Sequence, residues 1–97
     1  NYAPWMHRFV QDLYRNWMAP YAYRLGVIHG VTRIRLVVEK DGRPSAMEVV
    51  GTEGHASLHA ASTAALRAFA PYAPLPADFP EEHLVILLSL HYPQWKR

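Results

Sequence analysis

Two histidines stand at a spacing that suits metal binding. His55 and His59 are four residues apart, so in a helix their imidazoles share one face. Two ligands do not make a metal centre, and the only carboxylate close by in the sequence is Glu53. We therefore interpret the pair as solvated histidines in the first turns of a helix and predict no metal site.

The segment Gly51-Thr52-Glu53-Gly54 has the GxxG pattern that clamps a nucleic-acid backbone in KH domains. There the loop joins two helices, whereas here it lies between a predicted strand and a predicted helix. Glu53 would also repel phosphate. We therefore expect these four residues to form a turn.

Three arginines, Arg33, Arg35 and Arg43, lie on or beside a predicted strand. As a basic stripe they could form a secondary contact that attracts acidic segments of a protein partner. Alternatively, the stripe could bind nucleic acid. The simpler interpretation is a solvated face. A small nucleic-acid-binding α+β module is therefore the alternative function, although aromatic residues for base stacking are almost absent from the strands.

No arrangement of residues indicates catalysis. Glu81 and Glu82 are adjacent in a loop with no apolar pocket to separate their pKa values. None of the serines or threonines stands in a nucleophile elbow, and the chain has no cysteine. We predict that the protein is not an enzyme and needs no cofactor.

The composition favours one small domain. The chain has 97 residues, about half of them apolar, and a formal charge of +2 without a long basic run. No apolar run reaches the roughly 18 residues of a membrane-spanning helix. The first residue is Asn1 rather than methionine, so we expect residues 1–97 to be a single domain that is either a fragment of a longer protein or a processed chain.

Two helices are predicted from apolar periodicity. In the first, an aromatic or aliphatic residue recurs every fourth position, at Trp5, Phe9, Leu13 and Trp17. Pro20 ends it, and a linker from 21 to 30 follows. The second helix, 55–70, is rich in alanine, and the prolines after it hold the next connection extended.

Three strands are predicted from alternation. The first, 31–40, places Thr32, Ile34, Leu36 and Val38 on one face, and Asp41-Gly42 then forms a hairpin turn. The second strand covers roughly 45–50, and the third covers 84–92. The first helix precedes this hairpin and the second follows it.

This order predicts an α+β two-layer domain, with two helices on one face of a three-stranded antiparallel sheet. The strand with the strongest alternation belongs in the centre. The sheet order is then 2-1-3, and the third strand lies at an edge.

These features resemble the TonB/TolA C-terminal domain family over nearly the whole chain. Asp41-Gly42 matches the family's hairpin, and the residues from Pro71 to Pro76 match its proline run. The alanine-rich helix matches at Leu58, Ala60, Ala61, Ala65 and Arg67. Three positions depart from the pattern: His59 replaces an aspartate, Thr52-Glu53-Gly54 replaces a Ser-Gly loop, and Pro44 replaces an apolar strand residue.

The resemblance implies a periplasmic domain of an energy transducer that is anchored in the inner membrane. TonB-like members engage a short segment of an outer-membrane transporter, and TolA-like members engage a soluble periplasmic protein. Inner-membrane motor proteins would bind the parent protein outside this chain. The TonB-like and TolA-like alternatives both remain open.

Such domains typically bind by strand addition, and the best candidate edge is the third strand. It is long, apolar on both faces and free of proline. Its candidate partner-binding residues are His83, Leu84, Val85, Ile86, Leu87, Leu88, Ser89 and Leu90. A homodimer paired through its strand edges is the structural alternative.

Overall fold

The computed structural model describes residues 2–95. Three strands, β1 (Gly30–Glu39), β2 (Pro44–Glu53) and β3 (His83–Tyr92), form one antiparallel sheet of order β2-β1-β3. Helix α1 (Ala3–Asn16) precedes the sheet, and helix α3 (Ala56–Ala68) connects β2 to the proline-rich segment before β3. The predicted α+β class, antiparallel pairing and strand order are confirmed.

The core lies between the sheet and the helices. From β1, the side chains of Thr32, Ile34, Leu36 and Val38 are fully buried, as the alternation of that strand predicts. Helix α1 adds Trp5, Phe9 and Leu13, spaced so that they fall on one face of the helix. These aromatic and aliphatic side chains form one cluster with those of α3 and β3.

Two details differ from the sequence prediction. A short helix, α2 (Tyr21–Arg24), interrupts the predicted linker. Strand β2 continues to Glu53, so three residues of the predicted turn at 51–54 are paired with β1 and only Gly54, with φ of 95°, makes the turn. The interpretation of Gly51–Gly54 as a turn was therefore wrong.

Main-chain hydrogen bonds connect the β1–β2 hairpin to the proline-rich segment that precedes β3. The N–H of Tyr72 donates to the carbonyl of Gly42 at 2.8 Å, and that of Leu75 donates to the carbonyl of Lys40 at 2.9 Å. Gly42 has φ of 92°, a region that other residues rarely adopt. The chain is thus fixed close to the hairpin before it enters β3.

Candidate partner-binding edge

Strand β3 forms an edge of the sheet, as predicted. It pairs with β1 on one side along its full length, from Gly30↔Tyr92 to Glu39↔His83, without a shift in register. No other strand among residues 2–95 pairs with its far side. This far side is called the β3 edge below.

The main-chain groups that point to the β3 edge can be identified from the hairpin. The N–H of Glu39 donates to the carbonyl of Arg43, so the peptide groups of Glu39 face β2. Peptide groups alternate along a strand, and those of Val38 therefore face β3, where Val38 pairs with Leu84. Continuing this alternation leaves the N–H and C=O groups of His83, Val85, Leu87 and Ser89 directed away from the sheet.

The same residues carry the most exposed side chains of the strand. Leu87 is 75% exposed and Val85 is 42% exposed, both on the face that the helices do not cover. The opposite face of β3 contributes Ile86, Leu90 and Tyr92 to the core. An apolar strand with free main-chain groups and exposed leucine and valine is the kind of edge that accepts another strand.

The opposite edge of the sheet, along β2, is less suited to pairing. Its pairing with β1 skips Ser45 and Val50, which indicates two bulges, and the strand begins with Pro44. Bulges and proline are features that discourage strand addition. Of the two edges, β3 alone presents a regular row of main-chain groups.

The three candidate arginines differ in their surroundings. Arg33 forms an ion pair with Glu53 at 2.8 Å, and Arg43 forms one with Asp41 at 2.7 Å. The hydrogen bond from the backbone N–H of Arg43, together with the side chain of Arg43, lowers the pKa of Asp41 against the opposing effect of desolvation. Arg35 pairs across the strands with Leu87, beside the β3 edge, and its secondary contact role stays a prediction.

The two histidines of α3 lie in hydrogen-bonded positions. His55 caps the helix, because its Nδ1 accepts a bond from the N–H of Ser57 at 3.0 Å. The Nε2 of His59 lies 3.3 Å from the carbonyl oxygen of Gly54, to which it can only donate, and its Nδ1 lies 2.8 Å from the hydroxyl of Thr32. Our interpretation of them as merely solvated was incomplete, since both stabilise the fold.

A buried polar network extends from His59 to the end of β3. The hydroxyl of Ser62 lies 2.8 Å from both Thr32 Oγ1 and the hydroxyl of Tyr92, and Trp17 Nε1 donates to Tyr92 at 2.7 Å. Among residues 2–95, every buried side-chain nitrogen and oxygen has a hydrogen-bond partner. The network joins α1, β1, α3 and β3, and it fixes the position of β3 at its C-terminal end.

Within the same residues, no three histidine or acidic side chains converge on a point where a metal ion could bind. None of the helices there has the length and hydropathy that a membrane-spanning helix needs.

Comparison with known proteins identifies relatives of this fold. The family model described as "Gram-negative bacterial TonB protein C-terminal" matches residues 20–93, from just before α2 to just after β3. No curated protein matches the sequence.

Two NMR solution structures of the Helicobacter pylori TonB C-terminal domain are similar in fold. The first, of residues 179–285 of that protein, has a TM-score of 0.75 and 17% identity, and the alignment covers 97% of this chain and 83% of that one. The second, of residues 194–285, has a TM-score of 0.71 and 18% identity, and covers 92% of each chain.

Proposed function

Because the chain belongs to the family of Gram-negative bacterial TonB protein C-terminal domains, we propose that it binds an extended segment of a partner protein along the β3 edge. Domains of this family are periplasmic, non-catalytic modules of energy transducers that interact with outer-membrane transporters. The proposal adds the site, His83–Leu90, and the mode of binding, which is the addition of a fourth strand.

The observation that carries the proposal is the direction of the main-chain groups in β3. Four residues of the site, His83, Val85, Leu87 and Ser89, each direct one N–H and one C=O outward, and an incoming strand needs such a row. The bulges and Pro44 of β2 favour the β3 edge over the opposite one.

Main-chain pairing between β3 and an added strand gives only modest affinity. A main-chain hydrogen bond contributes about 1 kcal/mol net, so roughly eight bonds supply about 8 kcal/mol before the cost of association, which is at least about 4 kcal/mol. Main-chain pairing alone therefore gives a dissociation constant of about a millimolar. Such a contact is reversible and suits a transient coupler, and tighter binding requires buried side chains.

The partner we propose is a periplasm-facing segment of an outer-membrane transporter, with a soluble periplasmic protein as the TolA-like alternative. We further propose that residues 1–97 form one domain of a longer protein anchored in the inner membrane, where motor proteins bind a region outside this chain. The ion pairs of Arg33 and Arg43 with neighbouring carboxylates weigh against a nucleic-acid-binding stripe.

The test is a titration of the ¹⁵N-labelled domain with periplasm-facing segments of outer-membrane transporters from the same bacterium. We expect the amide signals of 83–90 to shift or broaden, while those of β2 at 46–50 stay unchanged. Binding that shifts β2 or α3 and leaves the β3 signals unchanged would refute the proposed site.

A further inference from the structure

Helix α1 lies beside the candidate site. Helix α3 packs over β1 and β2, and α1 packs against α3. The contact of Trp17 with Tyr92 places α1 on the β3 side of α3. At the start of α1, the ring of Tyr2 packs on Phe79, shortly before β3 begins. At its end, Trp17 donates a hydrogen bond to Tyr92, where β3 ends. Helix α1 therefore runs along β3 in the same direction.

The two flanks of α1 differ in chemistry. On one flank, Arg8 and Asp12 line a small crevice together with Phe69 and Tyr72, at the end of α3, so this polar flank faces α3. The opposite flank must then face past the β3 edge. It is apolar, with residues at helical spacing: Ala3, Met6, Val10 and Tyr14.

This apolar flank borders an open, shallow space of about 540 Å³, called the groove below, whose lining residues all lie in the first ten residues of the chain. Its walls are Tyr2, Ala3, Met6, His7 and Val10, a set that contains no Asp, Glu, Lys or Arg. Val10 is 37% exposed and Tyr14, one turn further along, is 66% exposed. The groove is therefore an accessible apolar surface on the flank of α1 opposite to the one that faces α3.

A strand added at the β3 edge would bring side chains to this groove. Its side chains alternate between the two faces of the sheet, and every second one points to the helix side, as Leu84 and Leu88 of β3 do. Those side chains would lie next to the exposed flank of α1. The main-chain bonds alone give weak binding, and the burial of apolar side chains here would strengthen it.

We propose that the apolar flank of α1 is a specificity-determining surface, which receives alternate side chains of the added strand and selects partner segments that are apolar at every second position. This inference rests on the proposed strand addition and deepens it. The family match begins at residue 20, after α1, so the selection is carried by a part of the chain outside the matched region.

The test uses a nine-residue strand fused after Arg97 through a flexible Gly-Ser linker, in two versions. One alternates Val and Thr, and the other has Thr at all nine positions. The readout is the protection of the Val85 amide, which points to the edge, from hydrogen exchange. We expect the Val85 amide to be protected at least about tenfold more by the alternating strand than by the all-Thr strand, because each buried valine adds apolar contact area.

Variants then locate the selecting surface. Val10→Asp places a charge in the groove, and it should reduce the ratio of Val85 protection between the two fused strands from about ten to nearly one. Val10→Thr keeps the side-chain shape and the helix, and it should reduce this ratio only in part. Leu87→Asp, on the open face of β3, lies within the proposed site and should lower the protection of the Val85 amide by both fused strands by the same factor, so that their ratio stays intact. The matched control is Gln11→Asp, which places the same charge on an exposed part of α1 outside the groove walls and should change neither the protection nor the ratio.

Each contrary outcome has a distinct meaning. If Leu87→Asp removes the preference and Val10→Asp does not, selection lies on the open face and the inference is overturned. Equal protection by both fused strands overturns it too, while leaving strand addition in place. If neither strand protects Val85, the proposed function fails with it. Slow exchange of Val85 in a dimer without any fused strand would show that a second copy occupies the site, and it would overturn the inference.

Discussion

Proline at position 87 tests which main-chain groups of β3 are free. The N–H of Leu87 points to the β3 edge and its side chain is 75% exposed, so Leu87→Pro removes little that the isolated domain uses. We expect it to lower the free energy of unfolding by less than about 1 kcal/mol, since proline is tolerated on an edge strand where its missing N–H faces solvent.

Proline at position 88 is the matched control. The N–H of Leu88 faces β1, where Leu88 pairs with Ile34, whose side chain is fully buried. Leu88→Pro leaves the carbonyl of Ile34 without a donor, which costs about 1–3 kcal/mol, and it also removes a leucine that packs on the core. We expect a total loss of at least about 3 kcal/mol, or a fall in Tm of more than about 10 °C for a domain of this size.

Binding should respond in the opposite order to stability. In Leu87→Pro the ring occupies the space of the incoming strand and removes one donor, so affinity for a bound segment should fall at least about tenfold. Thermal unfolding gives the Tm of each variant, and a binding titration gives the affinity of each for the segment. If Leu87→Pro unfolds the domain and Leu88→Pro does not, the alternation that we assign to β3 is reversed. An unchanged affinity in Leu87→Pro would refute pairing at this position.

Three further substitutions test the contacts that fix the position of β3 and of the segment before it. Ser62→Ala leaves the buried hydroxyl of Tyr92 with one partner fewer, and urea unfolding should show a loss of about 1–3 kcal/mol; no loss would mean that the network does not stabilise the fold. Burial raises the pKa of Tyr72 to about 12, so its contribution is complete below the unfolded pKa of about 10 and disappears as the pH rises towards 12, a loss of roughly 2–3 kcal/mol. Tyr72→Phe, which also loses the bond to the carbonyl of Leu66, should show less of this alkaline destabilisation, and an equal pH dependence in both proteins would contradict the assignment. Gly42→Ala forces a side chain into a positive φ and against the carbonyl of Tyr72, so Tm should fall by several degrees, whereas an unchanged Tm would show that the hairpin adapts.

The central and edge strands could be predicted because their burial follows from sequence. Ile34 and Leu36 alternate with Arg33 and Arg35, and Asp41-Gly42 marks the turn, so strand positions and order follow from simple patterning. Strand β2 was harder to delimit. Its last residues, Gly51–Glu53, are small or polar, and they are held in the sheet by pairing with β1, which sequence periodicity does not report.

The site could be predicted only in part. Sequence indicated His83–Leu90 as an edge, but which peptide groups point outward depends on the register of the hairpin at Glu39 and Arg43. The hydrogen-bonded role of His59 required Thr32, 27 residues away, to lie beside it. Likewise, Val10 looked like an ordinary helix residue, and the place of its flank beside β3 arises from tertiary packing.

Residue-resolved hydrogen exchange along β3 tests the central claim most directly. In the free domain, we predict fast exchange for the amides of Val85, Leu87 and Ser89 and slow exchange for those of Ile86, Leu88 and Leu90, because only the second set bonds to β1. When a partner segment is bound, the first set should become slow as well. If Val85, Leu87 and Ser89 are already protected in the free monomer, or stay fast while a partner is bound, then the β3 edge is not where this domain binds.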